Sequence, residues 1–575
     1  MNSSTDLNAA NRAGRASRSR ARALGATGVL AAGGAGALLA AFAGSASAVT
    51  TINVDSAADG PGIAGHCTDG IVGNCTLRDA SLAAVDGDTI TFDAGITSIT
   101  LTGGTVNLNA INVVGNGSAN LAITTTAAPD SYDVFYITGT GDSVISGLSL
   151  SRNRIRFYNV GDARVDDVTI SGSGGSCGGA LYANNDGDFE IVNSFFESNY
   201  SALGGGAVCT QNSGSVTITG SSFTSNSSAG DGGALFTGYD GTGTISISGS
   251  DFTSNYSASS SGAAEFNSAG SANVIISDSM FTDNDTAGWA GAFYVMSSIV
   301  DVTINGTVVS GSYSGDGAGV AYIENSGNLT ITNSTLENNT TGGGSGALYL
   351  HVGGDATITN TLISGNVSMD VHGGGITNAV VGVLTINNST LTGNSGLSGG
   401  AIFNDSSLVI NQSTITTNTA SVDGGGVLVA AGSSFEVSGT IVSGNSSSGD
   451  ADIATDTNNP FAITVNYSLI GDIDSALTVN GSNNISSTNP MVGALADNGG
   501  PTKTMALLDG SPAIDAGPDP VATFVGNDSD QRGLPWVRVF GGMVDIGAFE
   551  VQPDPVGPTT STTAGTDTVV PAFTG

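Results

Sequence analysis

Lysine is nearly missing from this chain. Of 575 residues one is Lys (Lys503), and Lys plus Arg number 13 against 49 Asp plus Glu, a net charge of −36. A surface this acidic repels nucleic acid and anionic membrane, which excludes nucleic-acid partners. With so little Lys and Glu, and with Gly, Ser, Thr and Asn dominant, long helices are excluded as well. Beyond the first 48 residues no stretch is long and apolar enough to span a bilayer as a helix. The tandem Gly-Gly-x-Gly-x-Asp nonapeptide of calcium β-rolls is missing. Bound calcium or a saline milieu would offset the charge, and the sequence does not choose between them. No other cofactor is expected.

What is present is a phrase that returns every 27–29 residues. Ser222-Phe223-Thr224-Ser225-Asn226 leads to Gly232-Gly233-Ala234-Leu235, Phe196/Asn199 to Gly205-Gly206-Ala207-Val208, Phe252/Asn255 to Gly262-Ala263-Ala264, and Phe281/Asn284 to Gly291-Ala292-Phe293. Later copies carry Leu336/Asn339, Leu391/Asn394 and Ile415/Asn418. Between glycines and the next Phe lies an alternating run such as Thr244-Ile245-Ser246-Ile247-Ser248, a strand with one dry face. One such unit cannot bury its apolar face, but coils stacked at about 4.8 Å can. The fold expected is all-β, a right-handed single-stranded parallel β-helix with a short N-terminal capping helix and an irregular C-terminal cap. Each Phe stacks on the Phe of the next coil. Each Asn sits at a turn, tolerates left-handed backbone and extends an amide ladder. The Gly pair serves a corner that needs positive φ or close approach.

The F-x-x-N and G-G-A-[ILV] phrases resemble the repeats of polymorphic outer membrane proteins, a resemblance that implies a right-handed parallel β-helix. Leu or Ile for Phe, and Gly-Ala for Gly-Gly, depart from that pattern in several copies.

Taken in order, the chain divides into residues 1–48, a signal peptide; 49–98, an N-terminal cap; 99–488, the repeats; 489–552, a C-terminal domain; and 553–575, a stalk rich in Pro and Thr. Five Arg precede the apolar run, and Ala46-Ser47-Ala48 is a cleavage site of A-x-A type. Its removal leaves eight basic and 48 acidic residues, a charge of −40. Cys67 and Cys75, eight apart in a secreted chain, are expected to form a disulfide, with no second Cys or His pair nearby for a metal site. Cys75-Thr76-Leu77-Arg78-Asp79-Ala80 resembles the CSLREA motif found at the start of many exported β-helix proteins. Leu77, Ala80 and Ala84 would share one face of a short helix that plugs the first coil. Asn498-Gly499-Gly500-Pro501, Ser511-Pro512-Ala513-Ile514-Asp515, Asp530-Gln531-Arg532-Gly533 and Asp545-Ile546-Gly547-Ala548-Phe549 together resemble the choice-of-anchor Q domain. That family places the domain between a β-helix and variable anchors and implies no catalysis. Its apolar residues suggest a cap on the last coil, with Asp515, Asp530, Arg532 and Asp545 as a set of buried ion pairs, the alternative being a calcium site. The terminal Pro571-Ala572-Phe573-Thr574-Gly575 is similar to sortase signals of Leu-Ala-x-Thr-Gly type, with Pro in the Leu place. Either a sorting tail lies beyond it or the match is chance.

Three constellations are candidates for function. Arg152, Arg154 and Arg156 alternate, and either form a patch for an acidic polysaccharide or pair with Asp142, Asp166 or Asp167 on adjacent coils. Tyr200, Tyr256 and Tyr313 follow the turn position in every second coil, with Trp289 on a neighbouring loop; either they face outward in a row spaced about 10 Å that suits stacking on a repeating glycan, or they pack within loops or recur by chance. Cys177 and Cys209 lie in successive coils but about five residues out of phase, roughly 16 Å along a strand, so no bridge between them is expected. His351 and His372 fall at different phases, and no set of nucleophile, base and orienter is found. The expectation is a monomeric, secreted, cell-surface β-helix of structural or adhesive role, its partner an extracellular glycan or a surface protein. The alternative is a polysaccharide lyase or hydrolase, since right-handed β-helices also host such enzymes.

Overall fold

The structure, a computed structural model, describes residues 49–553 apart from 127–132 and short loop positions at 159, 186, 213, 240–242, 269–271, 298–300, 326, 371, 381, 458–460, 520, 522–523 and 525. The expected signal peptide, nearly all of the stalk and the sortase-like terminus lie outside the described residues. The chain winds into a parallel β-solenoid of about 13 turns. Its named strands all pair in parallel with the strand one coil away. Phe196, Phe223, Phe252 and Phe281 form one inward file, their ring centroids 4.9, 4.5 and 4.7 Å apart and their planes nearly parallel. Val309, Leu336, Ile363, Leu391 and Ile415 continue that file in register. Like therefore lies over like through the whole core.

Three sheets enclose that core: one of 31 strands, one of 14 and one of 10 among the described residues. The Thr-Ile-Ser run and the Phe run of each coil both belong to the largest sheet, as Val216–Thr219 and Ser222–Thr224 do. A left-handed residue kinks the chain between them, Asn193 in one coil and Gly220 in the next. The short sheet is made of pieces such as Ser227–Ser228 just after the ladder Asn. Three strands per repeat are legible in the sequence; this fourth, two residues long, is not.

The Asn position needs a correction. Positive φ falls on the residue before it, Ser198, Ser225, Ser254 and Asp283, and the Asn itself turns fully inward. Asn199, Asn226 and Asn255 each donate from Nδ2 to Oδ1 of the next coil's Asn at 2.9–3.0 Å, and the same Oδ1 accepts the backbone N–H. The ladder resumes from Asn339 through Asn366, Asn394 and Asn418 to Asn445. A buried amide in this place satisfies backbone that has just left the sheet. The Gly pair divides its two tasks: Gly232 has φ +58°, while a Cβ on Gly233 would stand 1.9 Å from the carbonyl oxygen of Gly262.

At the N-terminal end, Leu77–Ala83 is an α-helix whose capping box joins Thr76 and Asp79, the two places where the CSLREA-like stretch departs from its namesake. Leu77 and Ala80 are buried in the core. Arg78 is held by Asp59 at 2.9 Å and donates to the carbonyl oxygens of Gly104 and Thr105. Cys67 and Cys75 are bridged, their Cα atoms 4.5 Å apart. Strands Thr51–Val54 and Thr89–Phe92, inside the expected cap, already pair as rungs of the largest sheet.

At the other end the irregular segment after Pro490 lies along the flank of the solenoid. Asn388 donates to Ser529 O, Thr390 to Gln531, and Ala548 N to Thr414. Leu507, Ala513 and Ile546 bury the outward side chains of Ile441 and Leu469. Lys503 reaches Glu337 at 3.7 Å. The outward faces of these late coils carry Thr390, Thr414, Ile441 and Leu469, which need a cover, so the segment covers a side. Arg532 and Asp530 are paired at 2.6 Å and buried. Asp545 accepts from Asp515 N. The buried pair Arg538 and Glu550 at 3.8 Å was not expected.

Candidate functional site

The strand after each Gly corner places its first residue inward and its second outward. In register, those second residues form a row along the 14-stranded sheet: Arg156, Tyr182, Cys209, Phe236, Glu265, Tyr294, Tyr322, Tyr349, Thr377, Phe403. The loop before each corner lies on the row residue of the following coil. Gly204 sits against the Phe236 ring, Trp289 meets Tyr322 edge-on at 5.7 Å, Ser345 donates to Thr377 at 2.5 Å, and His372 packs on Phe403 at 4.8 Å.

That rule overturns the expectation for Cys177 and Cys209. They are bridged, with Cα atoms 5.6 Å apart. Cys177 is the loop residue before one corner and Cys209 the row residue of the next coil. Five residues of phase amount to 16 Å only along a straight strand, and here the chain folds back through Gly178 at φ +67°.

The row is aromatic in a field of carboxylates. Tyr322 and Tyr349 stack at 4.7 Å with rings nearly parallel, and Tyr294 stands edge-on to Tyr322 at 5.5 Å. Tyr294 Oη donates to Glu324 at 3.2 Å. Burial, with Tyr349, Glu324 and Asp316 nearby, pushes the Tyr322 hydroxyl up to about 12. Burial and Asp405 push Tyr349 up, and burial depresses His372. Glu265 takes a ring's place in the row. Enclosed, beside Asp231 and accepting from Ser260 Oγ, its carboxyl is pushed up to about 8, chiefly by desolvation. His351 Nδ1 lies 3.9 Å from Glu324. Among the described residues no group of three or more His, Cys, Asp or Glu is placed to hold a metal ion.

The residues singled out from sequence fall in three places. Tyr200, Tyr256 and Tyr313 begin strands of the short sheet in every second coil, with Ser227 and Asp285 between them. They are 46, 42 and 39% exposed, and Trp289 is 45% exposed. Arg154 and Arg156 do not meet Asp142, Asp166 or Asp167. Both are held by Asp133, at 2.6 and 3.7 Å, and Arg156 also lies over Tyr136 and Tyr182. Arg152 precedes their strand at φ +61° and does not share its face. Arg164 pairs with Asp166 and Glu190. The row residues Phe236, Tyr294, Tyr322, Tyr349 and Phe403 were missed. Their signal was the residue after each G-A-[LIF] or G-V-A phrase, which is aromatic in most copies.

Residues 179–363 match the family described as the right handed beta helix region. No curated protein matches the chain. Among solved structures, the crystal structure of pectate lyase Pel9A aligns over 88% of this chain and 98% of that one, at 14% identity and a TM-score of 0.25. At that distance nothing of its activity transfers.

Proposed function

We propose that the protein is secreted and surface-associated, with a structural or adhesive role in which it holds an extended extracellular glycan. The observation that carries this is the stacked pair of half-buried rings Tyr322 and Tyr349, next to the buried Tyr294 and with the exposed Trp289 edge-on to Tyr322, on a sheet that runs along the solenoid. Sugar rings pack their apolar faces on such side chains while their hydroxyls bond to flanking polar groups. Tyr200, Tyr256 and Tyr313 offer a second exposed file beyond the loops. Two disulfides suit an oxidising compartment. The resemblances to CSLREA-type starts and choice-of-anchor Q ends fit an exported protein held at a surface, with residues 553–575 as spacer. Binding to a glycan array without turnover is expected, and a combined Trp289→Ala, Tyr322→Ala, Tyr349→Ala variant should lose it by at least about tenfold. Tyr200, Tyr256 and Tyr313→Ala measures the share of the other file. If the wild-type chain retains no glycan, the proposal fails.

One observation favours the enzymatic alternative. Glu265, protonated at neutral pH, and Glu324 flank Tyr294, and a glycoside hydrolase needs an acid and a carboxylate around the scissile bond. Depolymerisation of neutral and acidic glycans, with and without calcium, decides between the two. Turnover abolished by Glu265→Gln or Glu324→Gln would replace adhesion by hydrolysis, and turnover abolished at Arg154 or Arg156 would point to a lyase.

A further inference from the structure

The sequence contains no Lys or Arg between Arg164 and Lys503, so the ring file from Phe236 to Phe403 is built entirely within a stretch without a permanent cation. Among the described residues, six of the other basic side chains are engaged elsewhere. Arg156 opens the row, several coils before Tyr294, and both it and Arg154 are tied to Asp133; Arg78 is tied to Asp59, Arg164 to Asp166 and Glu190, and Arg532 and Arg538 are buried in the C-terminal segment. Around the rings stand carboxylates instead. Glu324, two residues along the strand from Tyr322, accepts from Tyr294 Oη, Asp316 acts on Tyr322, and Asp405 acts on Tyr349. Asp316 and Asp405 are exposed at the rim. A uronate polymer finds nothing here to pair with and is repelled. A neutral sugar can stack but leaves those carboxylates partly desolvated without compensation. An ammonium group set against the exposed Trp289 ring, beside the stacked and half-buried tyrosines, gains both the ring quadrupole and the neighbouring charge.

We infer that the glycan held on this face is an amino-sugar polymer carrying free, protonated amines, recognised by the rings Trp289, Tyr322 and Tyr349 together with Glu324, Asp316 and Asp405. The inference rests on the glycan-binding proposal and narrows its ligand to one chemical class.

Titration calorimetry of the full chain with three probes tests it at about 0.15 M salt, where long-range attraction is screened. The probes are hexamers of glucosamine, of N-acetylglucosamine and of galacturonate. The glucosamine hexamer is expected to bind at least about tenfold more tightly than either of the others. Two variants separate site from bulk charge. Glu324→Gln with Asp316→Asn and Asp405→Asn should lower affinity about tenfold, and Tyr322→Ala with Tyr349→Ala, which keeps every carboxylate, should do the same. Unchanged affinity in the ring variant would mean that net acidity alone collects the oligoamine, which overturns the site. Equal binding of the N-acetylated hexamer removes the role of the amine and leaves the glycan-binding proposal standing. Binding of the galacturonate hexamer alone, or of no hexamer, also overturns the inference, and the glycan array then judges the parent proposal separately.

Discussion

A buried amide whose two hydrogens and one oxygen all find partners is the smallest unit on which this solenoid depends. Asn226 Oδ1 accepts from both the backbone and the side chain of Asn199. Asn226→Ala would leave two buried donors unmet, so a loss of about 2–5 kcal/mol in a denaturant titration is expected. Nature has removed one rung already. Ser312 stands between Asn284 and Asn339, donates its N–H to Asn339 and has no partner for its buried Oγ. Ser312→Asn should complete the ladder and stabilise by about 1 kcal/mol, read as a raised denaturation midpoint. Glu265 works in the opposite sense. Burial raises its pKa in the fold to about 8 from the ordinary 4.5 of a glutamate, so the fold favours its protonated form. Stability from this group is whole below about pH 4.5 and declines as pH rises to about 8, on the order of 1.4 kcal/mol per unit. Glu265→Gln should flatten that decline, with a melting temperature above wild type at pH 9 and close to it at pH 5.

At the scale of elements, the loop before each Gly corner is the part least fixed by repetition. Its length and composition vary, yet in coil after coil it rests on the outward residue of its successor, by a ring at Trp289, a hydroxyl at Ser345 and a disulfide at Cys177. The bridge closes a separation of 32 residues, for which chain entropy gives about 3–4 kcal/mol. Cys177→Ser with Cys209→Ser should cost that much or less. Hydrogen exchange should speed up in residues 174–178, while the Phe file stays protected. Equal acceleration along the file would mean that the bridge holds the solenoid itself. A different set of turns, those leading from the 14-stranded sheet into the largest one, sets part of the acid content in context. Asp142, Asp162 and Asp188 accept the backbone N–H of the next coil's turn, so many carboxylates are turn acceptors and need no metal to account for them.

At the scale of the whole molecule, edges and flanks decide stability. The N-terminal helix meets the first coil, whereas the C-terminal segment covers a side. Ending the chain after Asn489 would expose Ile441 and Leu469. Such a variant is expected to aggregate on heating and to unfold in two steps, late coils first, as nearest-neighbour stacking predicts. Retention of a single transition at the wild-type temperature would show that the segment is dispensable. Within it, Arg538→Ala should cost about 3–5 kcal/mol by stranding Glu550 without its partner in a closed space.

Period, phase and side-chain size were enough to read the inward half of this protein. A 27–29-residue repeat with Phe and Asn three apart dictates parallel coils, a ring file and an amide ladder, because identical residues one coil apart must meet. The outward half was not readable in that way. Whether Cys177 reaches Cys209, which acid holds Arg154, which tyrosines share a row, and whether the last segment closes an end or a flank all depend on how irregular loops fold over the next coil. Repetition fixes what stacks along the axis. Only the folded loops decide what crosses it.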